Sequence, residues 1–489
     1  MMRIFIAFAF LITPFFGLAQ LDVLQWQNPI AFQYFQKSDS LNTGVYTGTK
    51  GVVGLGVNEA RFGGKQAIVG AKGFAFQGGL TFDVNQTQNS VGNQTNTEYQ
   101  IKPRILGNLS YEIQGKKLKF NTWIASRHRE FYDRLKSGSA EFGIRLKYDA
   151  KPWLNFQVGL DRNHFGYGIR SLFLSRAAPV LPFFAADFKI GNRIRLYNHF
   201  AILNHHEKFF NPFRKAELVH GADVVGHRRD YMASHVIEWN VVPTFQLMLF
   251  DAVVWAGEDK YGYRGFDPTY LNPFGFYRSI EFSSGSSDNA LVGLAARWKV
   301  HRKIKLYGSF LLDEFLLSEI KAQNGWWGNK FAIQAGGELA LGSKAVIGGE
   351  VNIVRPFTYS HFDQRQSFTT TGQPLALPWG GRGAEILFFA HYFGEDSYTR
   401  FQGSFLKKGN GKGGNPLYSL AENADPYGYD LFNISAGSSN TIAFSLSHQI
   451  QIKPNGKSLG LKVGALFPDN ERFRINVGVI YSSGIGRYF

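Results

Sequence analysis

The chain has 489 residues, no cysteine and a formal net charge of +16, so a lipoprotein anchor and a disulfide framework are both excluded. Hydrophobic residues reach 44%, yet mean hydropathy is only −0.17, the balance expected when lipid-facing and lumen-facing positions alternate along strands. Beyond residue 20 no uncharged apolar run approaches the roughly 20 residues of a membrane helix, so a membrane protein of this kind must span as strands.

Met1, Met2 and Arg3 make a short positive start, Ile4 to Ile12 an apolar core, and Gly17-Leu18-Ala19 a small-residue cleavage site. Residues 1–19 therefore read as a secretory signal peptide rather than a single anchor, for which the apolar stretch is short. Residues 20–65 follow as an N-terminal periplasmic or lumenal segment, a candidate plug. From 66 to 489 the pattern is all-β, and no Pro/Ser-rich linker divides it. Phe142, Ile144, Leu146 and Tyr148 alternate with Glu141, Arg145 and Lys147. A turn at 149–152 follows, and then Leu154, Phe156, Val158 and Leu160 alternate with Asn155 and Gln157. That is a hairpin.

Similar short turns are expected near 114–117, 189–192, 241–244, 301–304, 342–344, 394–397 and 453–458. Longer connections are expected near 84–103, 127–140, 161–182, 204–234, 255–289, 313–329, 355–382 and 407–440. Short turns at one end and long loops at the other are the mark of a transmembrane antiparallel β-barrel with short periplasmic turns and long extracellular loops. Aromatics at 16%, among them 46 Phe and 22 Tyr, can supply its interfacial girdles, and 55 glycines suit its turns and crowded wall.

The last strand sets the count. Phe473, Ile475, Val477, Val479, Tyr481, Ile485 and Phe489 share one face, and a long, sparsely charged terminal strand is tolerable only if closure pairs it with the first. A chain that enters and ends on the periplasmic side needs an even number of strands. One strand near 66–83, with 430–440 left as loop, gives about 18, with every long loop outside.

Three loop blocks carry the chemistry. In the first, two glycines in Phe165-Gly166-Tyr167-Gly168 allow a tight path, and Arg170 offers a planar fork that could grip an anionic sugar or clamp the loop to the wall. The second runs from Trp255 to Asn329 and sets aromatic planes beside Asp288, Asn272, Arg264 and Arg278. It ends on Trp326 and Trp327, which can stack on sugar rings or serve as girdle residues. The third, Arg355-Pro356-Phe357-Thr358-Tyr359-Ser360-His361, has the same chemistry. Arg170, Asp288, Trp326, Trp327, Arg355 and Tyr359 are thus candidates for polysaccharide binding or for organising the loops. Lys407, Lys408 and Lys412 form a basic cluster in an expected outer loop. Basic outer loops concentrate anionic polymers, whether acidic surface or capsular polysaccharide or lipopolysaccharide cores, or complement anionic outer-membrane lipid.

These blocks resemble, in order, the Wzi-like capsule assembly family, and especially its branch containing the gliding motility protein RemB. The likeness runs from about Asp161 to Tyr392. It rests most on Gly168-Ile169-Arg170-Ser171-Leu172-Phe173-Leu174-Ser175, Ser286-Ser287-Asp288-Asn289-Ala290, Asn324-Gly325-Trp326-Trp327-Gly328-Asn329-Lys330 and Arg355-Pro356-Phe357-Thr358-Tyr359-Ser360-His361. The resemblance implies an 18-stranded outer-membrane barrel that holds surface polysaccharide at the cell exterior, or a surface component of gliding with protein partners. Tyr167 stands where that pattern places an acidic residue, and Leu377 where it places a His.

Other motifs lack context. Gly409-Asn410-Gly411-Lys412-Gly413-Gly414 fits GxGxxG but sits between strands rather than before a helix. Half of the twelve histidines fall between His199 and His235 without diagnostic metal spacing. Asp313 and Glu314 are adjacent, so on a regular strand they point to opposite faces rather than converging as a hydrolytic pair. No cofactor or metal is expected, and a secreted chain does not meet nucleic acid. The favoured reading is a non-enzymatic barrel whose outer loops fold over the mouth and hold polysaccharide. The alternatives are a channel or transporter for small solutes or oligosaccharides, and an outer-membrane hydrolase.

Overall fold

In the computed structural model the described residues are 45–46, 72–91, 94–114, 117–126, 140–206, 227–259, 262–342, 344–394, 397–409, 413–416, 427–429, 437–453, 457–469 and 473–487. Period-two alternation becomes eighteen antiparallel strands, each paired with its sequence neighbours, in one closed barrel. They are β1 Lys72–Val91, β2 Gln94–Gln114, β3 Leu118–Ser126, β4 Ala140–Lys151, β5 Leu154–Asp161 and β6 Leu181–Ile190. Next come β7 Ile194–His206, β8 His227–Val242, β9 Phe245–Ala256, β10 Asn289–His301, β11 Ile304–Glu314 and β12 Lys330–Leu341. The last six are β13 Ala345–Val354, β14 Gly383–Phe393, β15 Ser397–Gly409, β16 Ser438–Lys453, β17 Lys457–Pro468 and β18 Arg474–Arg487. The terminal strand pairs with the first from Lys72↔Arg487 to Asn85↔Arg474, which leaves no sheet edge. Phe489 itself lies outside the described residues.

Along β11, Lys305, Tyr307, Ser309, Leu311 and Asp313 are buried inside, whereas Ile304, Leu306 and Phe310 are exposed outside. The same outward apolar set continues through Ile333 and Leu339 of β12, Ile347 of β13, Phe388 of β14 and Phe401 and Phe405 of β15. Apolar surface gains about 25 cal/mol per Å² on leaving water, so a belt of this extent around a closed wall needs a lipid surround. The chain is an outer-membrane β-barrel, and no helix among the described residues is long and apolar enough to cross a membrane.

The short turns fall where the alternation breaks, but three expectations are corrected. The stretch 84–103 is not a loop: β1 and β2 continue as a hairpin up to Val91↔Gln94; the expected start of the first strand, 66–71, lies outside the described residues. Lys407 and Lys408 lie on β15, paired with Ala384 and Gly383, not in an outer loop; Lys412 is outside the described residues. Asp313 and Glu314 do not diverge, because a bulge between Leu312 and Glu314 shifts the register. Lys330 Nζ then reaches Glu314 at 2.9 Å and Asp313 at 3.7 Å.

Two long loops turn inward. Residues 162–180 and 355–382 join the inner wall in one buried cluster that includes Phe165, Leu172, Phe173, Leu174, Tyr359, Phe368, Leu375 and Trp379 with Phe250, Val254 and Leu291. Phe173 stacks on Phe250 at 4.7 Å. It fits because residue 293 is glycine, where a Cβ would sit 2.2 Å from the Phe173 ring. Val45–Tyr46 pairs with His164–Phe165 of the first loop.

The loop 257–288, described at 257–259 and 262–288, does the opposite, and its residues 266–282 lie on the outside of the wall. Its Tyr270 and Tyr277 pack with Phe200, Tyr231, Ala233, Val253 and Trp255, the positions of β7, β8 and β9 whose alternation points away from the lumen. The expectation that the long loops fold over the mouth fails here, because these strands carry His235 and Asp251 outward and need a polar cover. Tyr277 supplies it: its hydroxyl meets His235 Nε2 at 2.7 Å, and its backbone N–H donates to Asp251 Oδ2 at 2.7 Å.

Candidate functional site at the loop end

The segment between β11 and β12 starts with a short helix, α2 (Leu317–Ala322), numbered after α1 (Tyr277–Ser284) of the outer loop. α2 stops at Gln323 in the left-handed region (φ 50°), and Gly325 repeats that turn (φ 68°). The Asn324 side chain accepts the Trp326 N–H at 3.1 Å, and that of Asn329 accepts the Leu316 N–H at 2.8 Å. Gly328 admits the Trp326 ring against the backbone, since a Cβ there would lie 2.4 Å from it. The motif is therefore a scaffold that sets two half-buried indoles side by side, 5.4 Å apart.

Two further segments complete this cluster. Phe357 meets Trp327 edge-on at 6.2 Å and Tyr429 at 5.0 Å. The Tyr429 N–H donates to the Gly325 carbonyl at 2.8 Å, and Gly428 N–H to that of Asn324 at 3.0 Å. Arg355 ties the edges, its Nη2 donating to the carbonyls of Tyr429 at 2.8 Å and Trp326 at 3.3 Å. Lys330 Nζ sits 5.7 Å from the Trp327 ring centre and donates to the Ser360 carbonyl at 3.1 Å. Burial, with Lys330 alongside, lowers His361 to about 4, so its imidazole is neutral at neutral pH. Phe357 and Tyr359 hold φ of 63° and 76°, strained for residues with a Cβ and kept there by surrounding contacts.

Of the residues singled out in the sequence, the structure gathers Trp326, Trp327 and Arg355. The others each hold a different joint. Arg170 makes a two-pronged ion pair with Glu385 of β14 at 2.9 and 2.7 Å, while Glu350 of β13 accepts the Ile169 and Arg170 N–H groups. Arg170 thus clamps the first loop to the inner wall. Asp288 accepts from Arg264 Nη1 at 2.7 Å, the Tyr270 hydroxyl at 2.5 Å and Gln366 Nε2 at 3.2 Å. Tyr359 is fully buried, its hydroxyl on the Leu172 carbonyl and its N–H on Asp313. Lys408 donates to the carbonyls of Trp379 and Gly414, so it caps backbone rather than facing an open basic surface.

Sequence reasoning quoted Phe357 within its third block without choosing it as a candidate, and passed over Tyr429. The aromatic pair Tyr427 and Tyr429 flanking Gly428 was a signal, but its contact with residues 324–326 spans too much chain to be read from spacing. Among the described residues no group of three His, Cys, Asp or Glu is gathered as metal ligands.

No protein-family model matches the chain, and no curated protein matches it by sequence. Among solved structures it is similar to Wzi, an outer-membrane protein involved in group 1 capsule assembly in Escherichia coli and described as a carbohydrate-binding β-barrel. Identity is 12% and the TM-score 0.58, over 95% of this chain and 98% of that one. At that identity the likeness is one of fold. Pseudomonas aeruginosa OpdK and OpdQ align over 85% of this chain, covering 99% and 98% of theirs, at 8% and 9% identity and TM-scores of 0.45 and 0.43.

Proposed function

We propose that this chain is a non-enzymatic outer-membrane barrel that binds or anchors a surface polysaccharide, in capsule assembly or as a gliding-related surface protein. The observation that carries it is the pair of half-buried indoles of Trp326 and Trp327, which three loop segments distant in sequence set side by side, with buried Phe357 and Arg355 and half-buried Tyr429 holding them. Aromatic faces stack on the apolar faces of sugar rings, and Arg355 fixes their placement through the carbonyls of Tyr429 and Trp326. The +16 charge favours an acidic polymer and an anionic lipid surround. The Wzi-like fold and the ordered motif resemblance agree with it. In this reading residues 1–19 are the secretory leader and 20–65 a plug for the lumen, which the pairing of Val45–Tyr46 with the first inward loop supports.

The test is calorimetric titration of the purified protein with polysaccharide extracted from the surface of its source cells. The Trp326→Ala/Trp327→Ala variant should weaken binding by on the order of tenfold or more, as central aromatic contacts do. Absence of binding, or binding indifferent to both that variant and Arg355→Ala, would overturn the proposal. Single-channel conductance in planar bilayers separates it from a channel or transporter.

A further inference from the structure

We propose that the outer loop 257–288 is a membrane-embedded flap whose free face contacts the acyl chains of the outer leaflet. Three observations carry this, none of which depends on the polysaccharide reading.

The first is depth. His235 and Asp251 face each other at the midpoints of β8 and β9. The row of paired residues through them starts beside a short turn, at Leu118 and Tyr148, and passes Phe156, Ala186 and Asn198. It then continues through Val292 and Leu312 to Phe331, the second residue of β12 at its loop end. The pair therefore sits about halfway up the wall, and Tyr277 of the flap is bonded to both members.

The second is continuity. Leu249 on β9 is exposed outward, but Val253 and Trp255 on the same face are fully buried under the flap. On β12 the corresponding upper wall is bare, with Ile333 exposed. The flap occupies wall that elsewhere belongs to the lipid belt, so its outer face replaces that belt.

The third is the chemistry of that outer face. Where the chain turns back beside Tyr277, Leu271, Phe274 and Phe276 are exposed, with Phe274 at 79%; on α1 Phe282 is 86% exposed. The charges gather higher, where Arg264 pairs with Asp267 and with Asp288 next to the start of β10. Arg278 is the basic residue on the outer face of α1, and it pairs with Glu281 one turn further toward that upper end, the direction in which a lipid-facing arginine snorkels. Leu271, Phe274 and Phe276 thus lie deep and the Arg264, Asp267 and Asp288 charges shallow, with Phe282 and the snorkelling Arg278 between them, the gradient of an element lying in the interface.

The chain has no cysteine, so single labels can be placed without removing any. Phe274→Cys and Phe282→Cys, each carrying an environment-sensitive fluorophore, are reconstituted in liposomes beside Leu249→Cys for the lipid belt and Asn192→Cys for a water-facing turn. Both native side chains are largely exposed, so neither substitution removes packing, and either position alone decides. Lipids brominated on their acyl chains should quench both labels as strongly as at Leu249, and iodide should leave them unquenched. Quenching by iodide as at Asn192 would place the flap in water and overturn the proposal. Protection from both quenchers would overturn it in favour of a protein cover such as a second copy.

Discussion

Arg170 shows how one residue can be decided by its surroundings. Its side chain is mostly buried, and Glu385 beneath it is almost fully so. Removing one partner of a buried ion pair costs about 3–5 kcal/mol, because the remaining charge is left in place. Arg170→Ala should therefore loosen the 162–180 loop markedly, Arg170→Lys should recover little because the two-pronged geometry is lost, and Arg170→Ala/Glu385→Gln should recover most of the loss. Limited proteolysis of the loop in detergent, read as a double-mutant cycle, measures this; equal sensitivity of wild type and Arg170→Ala would refute the clamp. The sequence showed a five-donor fork next to two glycines and left its role open. It could not show the carboxylates awaiting it, since Glu350 and Glu385 stand far along the chain on β13 and β14.

At the scale of elements, the strands were the most legible part, because a wall with lipid on one side and a lumen on the other imposes period two on every strand. The short turns followed from where that period breaks. The loops were legible only in length. Whether a long connection turns inward, as 162–180 does, or drapes outside, as 257–288 does, depends on partners across the fold. One clue lay in β8 and β9, where His235 and Asp251 occupy outward positions that bare lipid does not tolerate. The flap answers that need through Tyr277, which makes a specific expectation. Tyr277→Phe keeps the ring packed beside His235, at 4.2 Å between centres, but removes the hydroxyl. An unsatisfied buried polar group costs about 1–3 kcal/mol, so the variant should unfold earlier on heating in detergent, by the loss of β-barrel circular dichroism. The backbone bond to Asp251 remains, so the loss should be smaller than for Tyr277→Ala. Equal melting of the wild type and Tyr277→Phe would remove the argument that the flap is a fixed cover.

For the whole molecule, strand number and loop placement together determine what the barrel can conduct. Barrels of 16–18 strands enclose enough space for an aqueous channel unless something fills them, and eighteen strands close this wall. The filling seen against β6 to β12 is made by two inward loops, whose Phe173, Leu174, Phe368 and Leu375 have essentially no exposed surface. Ser175 N–H donates to the Leu375 carbonyl at 2.8 Å, so the loops hold each other as well as the wall. If that filling rather than the strand count keeps the barrel shut, replacing residues 166–178 by a short Gly/Ser linker should leave the wall intact and open it. The deletion variant should retain β-barrel circular dichroism and show large, steady single-channel conductance in planar bilayers, with wild type showing little under the same conditions. Conductance of similar size in both would mean that current passes beside the loops, and the channel reading would then displace the anchoring one. The intact inner wall after deletion would still carry Arg145 paired with Asp161 and Lys305 paired with Glu338. These mixed charges line a polar path, so the opened variant should pass small ions of both signs.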